Sequence, residues 1–91
     1  MEINSSFVLR NLYGKDLLIP VRRNQITRDP VLLNSTAKMV FELCRDASTV
    51  EELARLVIKR HGVEETEEIM VQLTAYIHSM LERGFLTIQK T

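Results

Sequence analysis

Pro30-Val31-Leu32-Leu33-Asn34-Ser35-Thr36-Ala37, then Phe41-Glu42-Leu43-Cys44, then Ser48-Thr49-Val50-Glu51-Glu52-Leu53 carry the chain from a short apolar strand into two helix starts. Asn34 or Ser35 caps the first helix and Ser48 or Thr49 the second, because a short polar side chain can accept from an orphan amide of the first turn. Ser48 to Glu51 and Thr49 to Glu52 both have capping-box spacing. The first helix is expected from about Ser35 to Cys44. The second runs from about Val50 to His61, with Gly62 placed for a left-handed cap. A third starts near Thr66 and stops near Arg83, with Gly84 in the same role.

Upstream, Phe7-Val8-Leu9-Arg10 and Leu17-Leu18-Ile19 flank Tyr13-Gly14-Lys15-Asp16, a hairpin signal. Pro20 cannot donate to a ladder, so a bulge, a strand end or an edge is expected there. Arg22 to Asp29 reads as a polar loop, and Val31 to Leu33 as the third strand. Phe85-Leu86-Thr87-Ile88 alternates weakly and adds a short C-terminal strand. The expectation is an α+β fold, winged helix-turn-helix-like: a three-stranded antiparallel sheet followed by three helices (β-β-β-α-α-α).

With 91 residues the whole chain, 1–91, makes one domain with one modest core. Twelve basic residues balance twelve acidic ones, for a formal net charge of zero. A protein held to nucleic acid by phosphate contacts normally shows a basic stripe. Here the third helix, which would be the recognition helix of a DNA reader, is approached through Glu64-Glu65-Thr66-Glu67-Glu68. Those carboxylates suit a helix N-terminus and would face phosphates unfavourably. Neither nucleic acid nor an anionic membrane is an expected partner. Arg22, Arg23 and Arg28 form a loose basic patch that reads as a solvated loop, with docking of an acidic partner as the alternative. The lone Cys44 allows no internal disulfide, the N-terminus lacks a signal pattern, and no apolar run approaches a membrane span. A cytoplasmic location is expected.

No catalytic constellation assembles. His61 and His78 lack partners at metal-ligand spacing. Cys44 has no adjacent base, and Gly14, Gly62 and Gly84 are isolated rather than a phosphate loop. The chain reads as a non-enzyme without metal or cofactor. On the third helix, Tyr76, Ile69, Met80, Leu73, Ile77, Met70 and Leu81 fill an arc of about 140°, wider than the roughly 100° a small core needs. The edge Met70-Ile77-Leu81, with Thr74 beside it, is then either core or a greasy flank.

Val31 to Ala37, Phe41 to Cys44, Ser48 to Leu53 and Met80-Leu81-Glu82-Arg83-Gly84-Phe85-Leu86, in that order and spacing, resemble the PqqD family. These proteins are named for pyrroloquinoline quinone biosynthesis, and their fold is shared by the recognition elements of ribosomally made, post-translationally modified peptides (RiPPs). The resemblance implies a peptide chaperone that binds the leader of a precursor peptide and delivers it to a modifying enzyme, often of the radical S-adenosylmethionine (SAM) type. It implies a leader added as a strand, with Val31, Leu32 and Leu33 on one wall and Met70, Leu73, Thr74 and Ile77 on the other. Ile77→Asp would then weaken binding in a folded protein. Quinone-pathway members carry Cys-Asp-Gly where this chain has Cys44-Arg45-Asp46-Ala47, so another modified-peptide pathway is expected. The alternatives are a winged-helix DNA-binding regulator and a homodimeric adaptor pairing through an edge strand. The charge balance separates the first of these: incubated with random duplex DNA at low salt, the protein should give no shifted band in a gel, and a salt-sensitive shift would restore the regulator.

Overall fold

The computed structural model describes residues 1–22, 25, 26 and 30–88. Three strands and three helices appear in the expected order, followed by the expected short C-terminal strand, with two further two-residue strands, one near the N-terminus and one at Gln25–Ile26. In chain order these are β1 (Glu2–Ile3), β2 (Phe7–Leu12), β3 (Lys15–Arg22), β4 (Gln25–Ile26), β5 (Val31–Leu32), α1 (Ser35–Leu43), α2 (Val50–His61), α3 (Glu67–Glu82) and β6 (Leu86–Thr87), with a 3₁₀ turn at Cys44–Asp46.

The hairpin β2–β3 turns on two residues. Tyr13 and Gly14 both take positive φ, at 55° and 78°, the type I′ geometry that matches the twist of the flanking strands. On its far side β3 pairs antiparallel with β5 near one end and with β4 near the other. Pro20 does not end the strand. Val21 N donates to the Ser6 carbonyl at 2.7 Å, so residues 6 and 21 form a hydrogen-bonded pair. The next pair, Phe7 with Pro20, is then a non-hydrogen-bonded one in the alternating antiparallel ladder. Toward the other side Pro20 falls between Leu18, the last residue paired with β5, and Val21, the first paired with β4. No described partner there needs a donor. The polar loop expected from Arg22 to Asp29 contains β4, and Arg22 ends β3. Arg23 and Arg28 of the basic patch lie outside the described residues.

The helices start where the polar caps dictate. Asn34 Oδ1 accepts from Ala37 N at 2.8 Å, Thr49 Oγ1 from Glu52 N at 3.1 Å and Thr66 Oγ1 from Ile69 N at 3.2 Å. Of the alternatives, Asn34 rather than Ser35 and Thr49 rather than Ser48 take the cap. Gly62, at φ 71°, closes α2. The core gathers Leu18 from the sheet, Val40, Phe41 and Cys44 around α1, Leu53, Ala54 and Val57 from α2, and Ile77 and Met80 from α3, with Leu86 from β6.

The end of α3 organises the return of the chain. Gly84 N donates to the Leu81 carbonyl and Phe85 N to the Met80 carbonyl, at 3.1 and 3.0 Å, a Schellman motif with Gly84 at φ 78°. The turn swings Phe85 edge-on against Phe7, centroids 5.3 Å apart, and starts β6, which pairs antiparallel with β1. Asn4 locks the junction, donating from Nδ2 to the Gly84 carbonyl at 2.7 Å and from N to the Phe85 carbonyl at 2.9 Å.

Tyr13 is fully exposed yet held at a left-handed φ that an L side chain adopts at a cost. Tyr13→Asn, which tolerates that region, should stabilise the domain by about 0.5–1 kcal/mol, read as a rise in denaturation midpoint with an unchanged m-value. An unchanged or lower midpoint would show that Tyr13 is not strained in solution.

Candidate functional site

Beside β5 the domain leaves a cavity of about 180 Å³. Its strand wall is Val31, Leu32 and Leu33, with Asn34 beside them; its floor is Ala37 and Phe41 of α1 with Met80 of α3; its far wall is Tyr76 and Ser79 of α3 and Arg83 at the helix C-cap, with Phe85 at the end. The close neighbours of α3 are α2 and β6 rather than the strands of the main sheet, which is why space remains between α3 and β5.

The register of β5 decides which of its backbone groups are free. Leu32 lies opposite Leu17 and Val31 opposite Leu18. Leu33 N donates to the Asp16 carbonyl at 2.9 Å, so Leu33–Asp16 is a hydrogen-bonded pair and Leu32–Leu17 is not. The N–H and C=O of Leu32 therefore point away from β3, to the outer edge. Among the described residues no strand pairs with that edge. The Leu32 side chain is 63% exposed. Asp16 fixes this end of the sheet to α1: its carboxylate accepts from Asn11 Nδ2 at 3.0 Å and pairs with Lys38 Nζ at 3.3 Å. The Asn11 hydrogen bond, with Lys38 adding to it, holds the Asp16 carboxyl below its usual range.

The opposite edge, on β2, is partly guarded. By the same alternation Phe7, Leu9 and Asn11 turn their polar backbone groups outward. Phe7 N donates to the Asn4 carbonyl at 2.9 Å, and the Arg10 guanidinium donates to the Leu9 carbonyl at 2.9 Å. A flanking side chain and the strand's own preceding turn thus occupy groups that would otherwise pair with a neighbour.

The structure brings together only part of the expected site. Val31, Leu32 and Leu33 line the cavity. Met70, Thr74 and Ile77 do not. At about 100° per residue, Ile77 sits about 100° around α3 from Tyr76, Met70 about 120° and Thr74 about 160°. Ile77 is 0% exposed and belongs to the core, so the flank reading of it is corrected. The Thr74 hydroxyl donates to its own helix, to the Met70 carbonyl at 2.8 Å and the Val71 carbonyl at 3.1 Å. Leu73, about 60° from Tyr76 and half-buried against the core, borders the cavity-facing stripe without lining the cavity itself. Tyr76, Ser79, Met80 and Arg83 were not singled out as the second wall. Their signal lies in the helix ending: a Schellman motif brings the residue after the glycine against the helix's last turns, so the place where Phe85 returns marks the wall.

A second cavity, of about 280 Å³, lies beside Glu2, Ile3, Phe41, Glu42, Cys44 and Arg45. Cys44 is buried, its thiol donates to the Phe41 carbonyl at 3.2 Å, and burial pushes its pKa up, the opposite of what a nucleophile needs. His61 and His78 are exposed. No helix of the described residues is long and apolar enough to cross a membrane.

A family model described as "Coenzyme PQQ synthesis protein D (PqqD)" matches residues 21–86. Among curated proteins and among solved structures none matches the chain.

The burial of Ile77 has a direct consequence. Ile77→Asp would place an unpaired carboxylate in the core, at a cost exceeding much of the roughly 5–10 kcal/mol that holds a small domain folded. It should abolish the cooperative melting transition, whereas Ile77→Val should cost about 0.5–1.5 kcal/mol. A folded Ile77→Asp protein with a native-like melt would return Ile77 to the surface.

Proposed function

The chain belongs to the PqqD family, and on that premise we propose that it captures the leader segment of a ribosomally made precursor peptide as an added strand on β5. It then presents that peptide to a modifying enzyme of the radical SAM type. The family's members are accessory proteins of quinone and modified-peptide biosynthesis, associated with a precursor peptide and a modifying enzyme. What supports the finer reading is one observation: the outward N–H and C=O of Leu32 stand beside a cavity whose floor, Ala37, Phe41 and Met80, is apolar. Strand addition draws main-chain hydrogen bonds from such an edge and specificity from pockets next to it.

Magnitudes show why both parts are needed. The receptive edge is short, bounded by Pro30, which has no N–H to offer, and by α1 from Ser35. Leu32 supplies two hydrogen bonds, worth about 0.5–1.5 kcal/mol each, net. Ordering three residues of a flexible peptide costs about 1–2 kcal/mol per residue. The backbone alone does not hold the ligand. Apolar side chains seated over Ala37, Phe41 and Met80 must add the remainder, at about 25 cal/mol per Å² buried, and Met80 lets the floor adapt to their shape. Val31, Leu32 and Leu33 form the strand wall of this proposed site. Tyr76, Ser79 and Arg83 form the helical wall, with Leu73 at its margin. Met70 packs against the core, and the Thr74 hydroxyl is held by its own helix.

A regulator binding DNA through α3 is disfavoured by the exposed carboxylates Glu64, Glu65, Glu67 and Glu68 at its approach. Pairing of two copies through β2 would have to displace the contacts of Arg10 and Asn4 described above.

Panning a random twelve-residue peptide display library should yield binders. With such a peptide at saturation, hydrogen exchange of the Leu32 amide should slow. Leu32→Pro removes the outward donor while leaving the Leu33–Asp16 bond, and should weaken binding about tenfold or more in a protein that still melts cooperatively. Unchanged exchange at Leu32 under saturating peptide would sink the strand-addition reading.

A further inference from the structure

We infer that the groove beside β5 reads a carboxylate as well as an apolar side chain: its ligand carries an aliphatic residue and, two positions away, an aspartate or glutamate that Arg83 receives. The inference rests on the strand-addition reading above and specifies the chemistry of the strand that reading requires.

The spacing comes from the two walls. Tyr76, Ser79 and Arg83 stand at i, i+3 and i+7 on the cavity side of α3, a row about 10 Å long at 1.5 Å per residue. About three residues of extended chain cover that distance. Successive side chains of a strand point to opposite faces, so an added strand turns every second side chain toward the helix. An added strand that runs along this row places two inward side chains on it. One lies over the buried floor of Ala37, Phe41 and Met80, which holds no charged group and suits an aliphatic residue. The other reaches the Arg83 end, where the Ser79 hydroxyl stands one turn away.

Arg83 has the character such a role needs. It is exposed and borders the cavity. The ion pairs among the described residues join Lys38 to Asp16 and Glu42, and Arg55 to Glu65, and leave Arg83 without an acidic partner. A simpler role also exists, since a cation at the end of a helix offsets the partial negative charge of its last carbonyls. That role accounts for a positive charge at this position, and a lysine would fill it equally well. It does not draw on the cavity. Recognition of a carboxylate through two parallel N–H donors is particular to arginine, so the two roles are separable by experiment.

The test pans one random twelve-residue display library on three proteins: wild type, R83Q and R83K, each shown to be folded by its circular-dichroism melt. The wild-type protein should enrich an aliphatic residue followed or preceded at two positions by Asp or Glu. R83Q should keep the aliphatic preference and lose the acidic one. R83K, which retains the charge at the helix end, should keep a weaker acidic preference. For a wild-type binder made as a synthetic peptide, exchanging its acid for the amide should cost about tenfold in affinity on wild type and less than about twofold on R83Q. Enrichment without an acid at that spacing, or an acidic preference undiminished in R83Q, would overturn the carboxylate inference and leave strand addition standing. No enrichment on wild type would overturn both.

Discussion

The seating of α3 governs the properties of this domain. Ile77 and Met80 are buried in one core with Leu18, Phe41, Leu53 and Val57, and each such side chain is worth about 1.5–3 kcal/mol in apolar burial. In a domain of this size a few such contacts approach the whole net stability. Because α3 spends its most apolar edge on α2 and its last turn on β6, it stands off from β5. The gap is a by-product of good packing elsewhere. It is also rigidly framed, since the Schellman turn at Gly84, the Asn4 hydrogen bonds and the Phe7–Phe85 contact fix where the helix ends. A groove framed in this way spares a ligand part of the cost of ordering its receptor.

Much of the fold was legible because its signals are local. A polar side chain at a helix start, a glycine past a helix end and a two-residue turn between apolar runs each specify geometry within a few residues. Asn34, Thr49, Thr66, Gly62 and Gly84 all did so. What escaped was non-local. The pairing of β1 with β6 joins two-residue strands from opposite ends of the chain; the alternation at Phe85 to Ile88 marked β6, but Glu2–Ile3 is too short to carry a pattern of its own. Passage of β3 through Pro20 follows from a change of partner strand, which only the assembled sheet defines.

The site was half legible for the same reason. Val31 to Leu33 announce a strand, and a strand beside a helix cap has few places to go. On α3 the apolar arc has two edges. Periodicity measures the width of that arc but not which edge meets the neighbouring helix. The tertiary packing sends the Ile77 edge inward and leaves the Tyr76 edge, extended by Ser79 and Arg83, facing the cavity. Arg83 marked the end of the third helix and stood in the family motif, and an arginine before a helix-ending glycine has an adequate explanation in the helix itself.

The unequal margins of the sheet carry a consequence for valency. A molecule with two equally sticky borders can link head to tail without limit, giving filaments. Here two of the outward groups on β2 are taken by Asn4 and Arg10, while the border on β5 is short and bounded by Pro30 and α1. If β5 takes up a guest strand as proposed, the short edge there limits how much of a second chain it can pair with, which favours a single guest over open-ended growth.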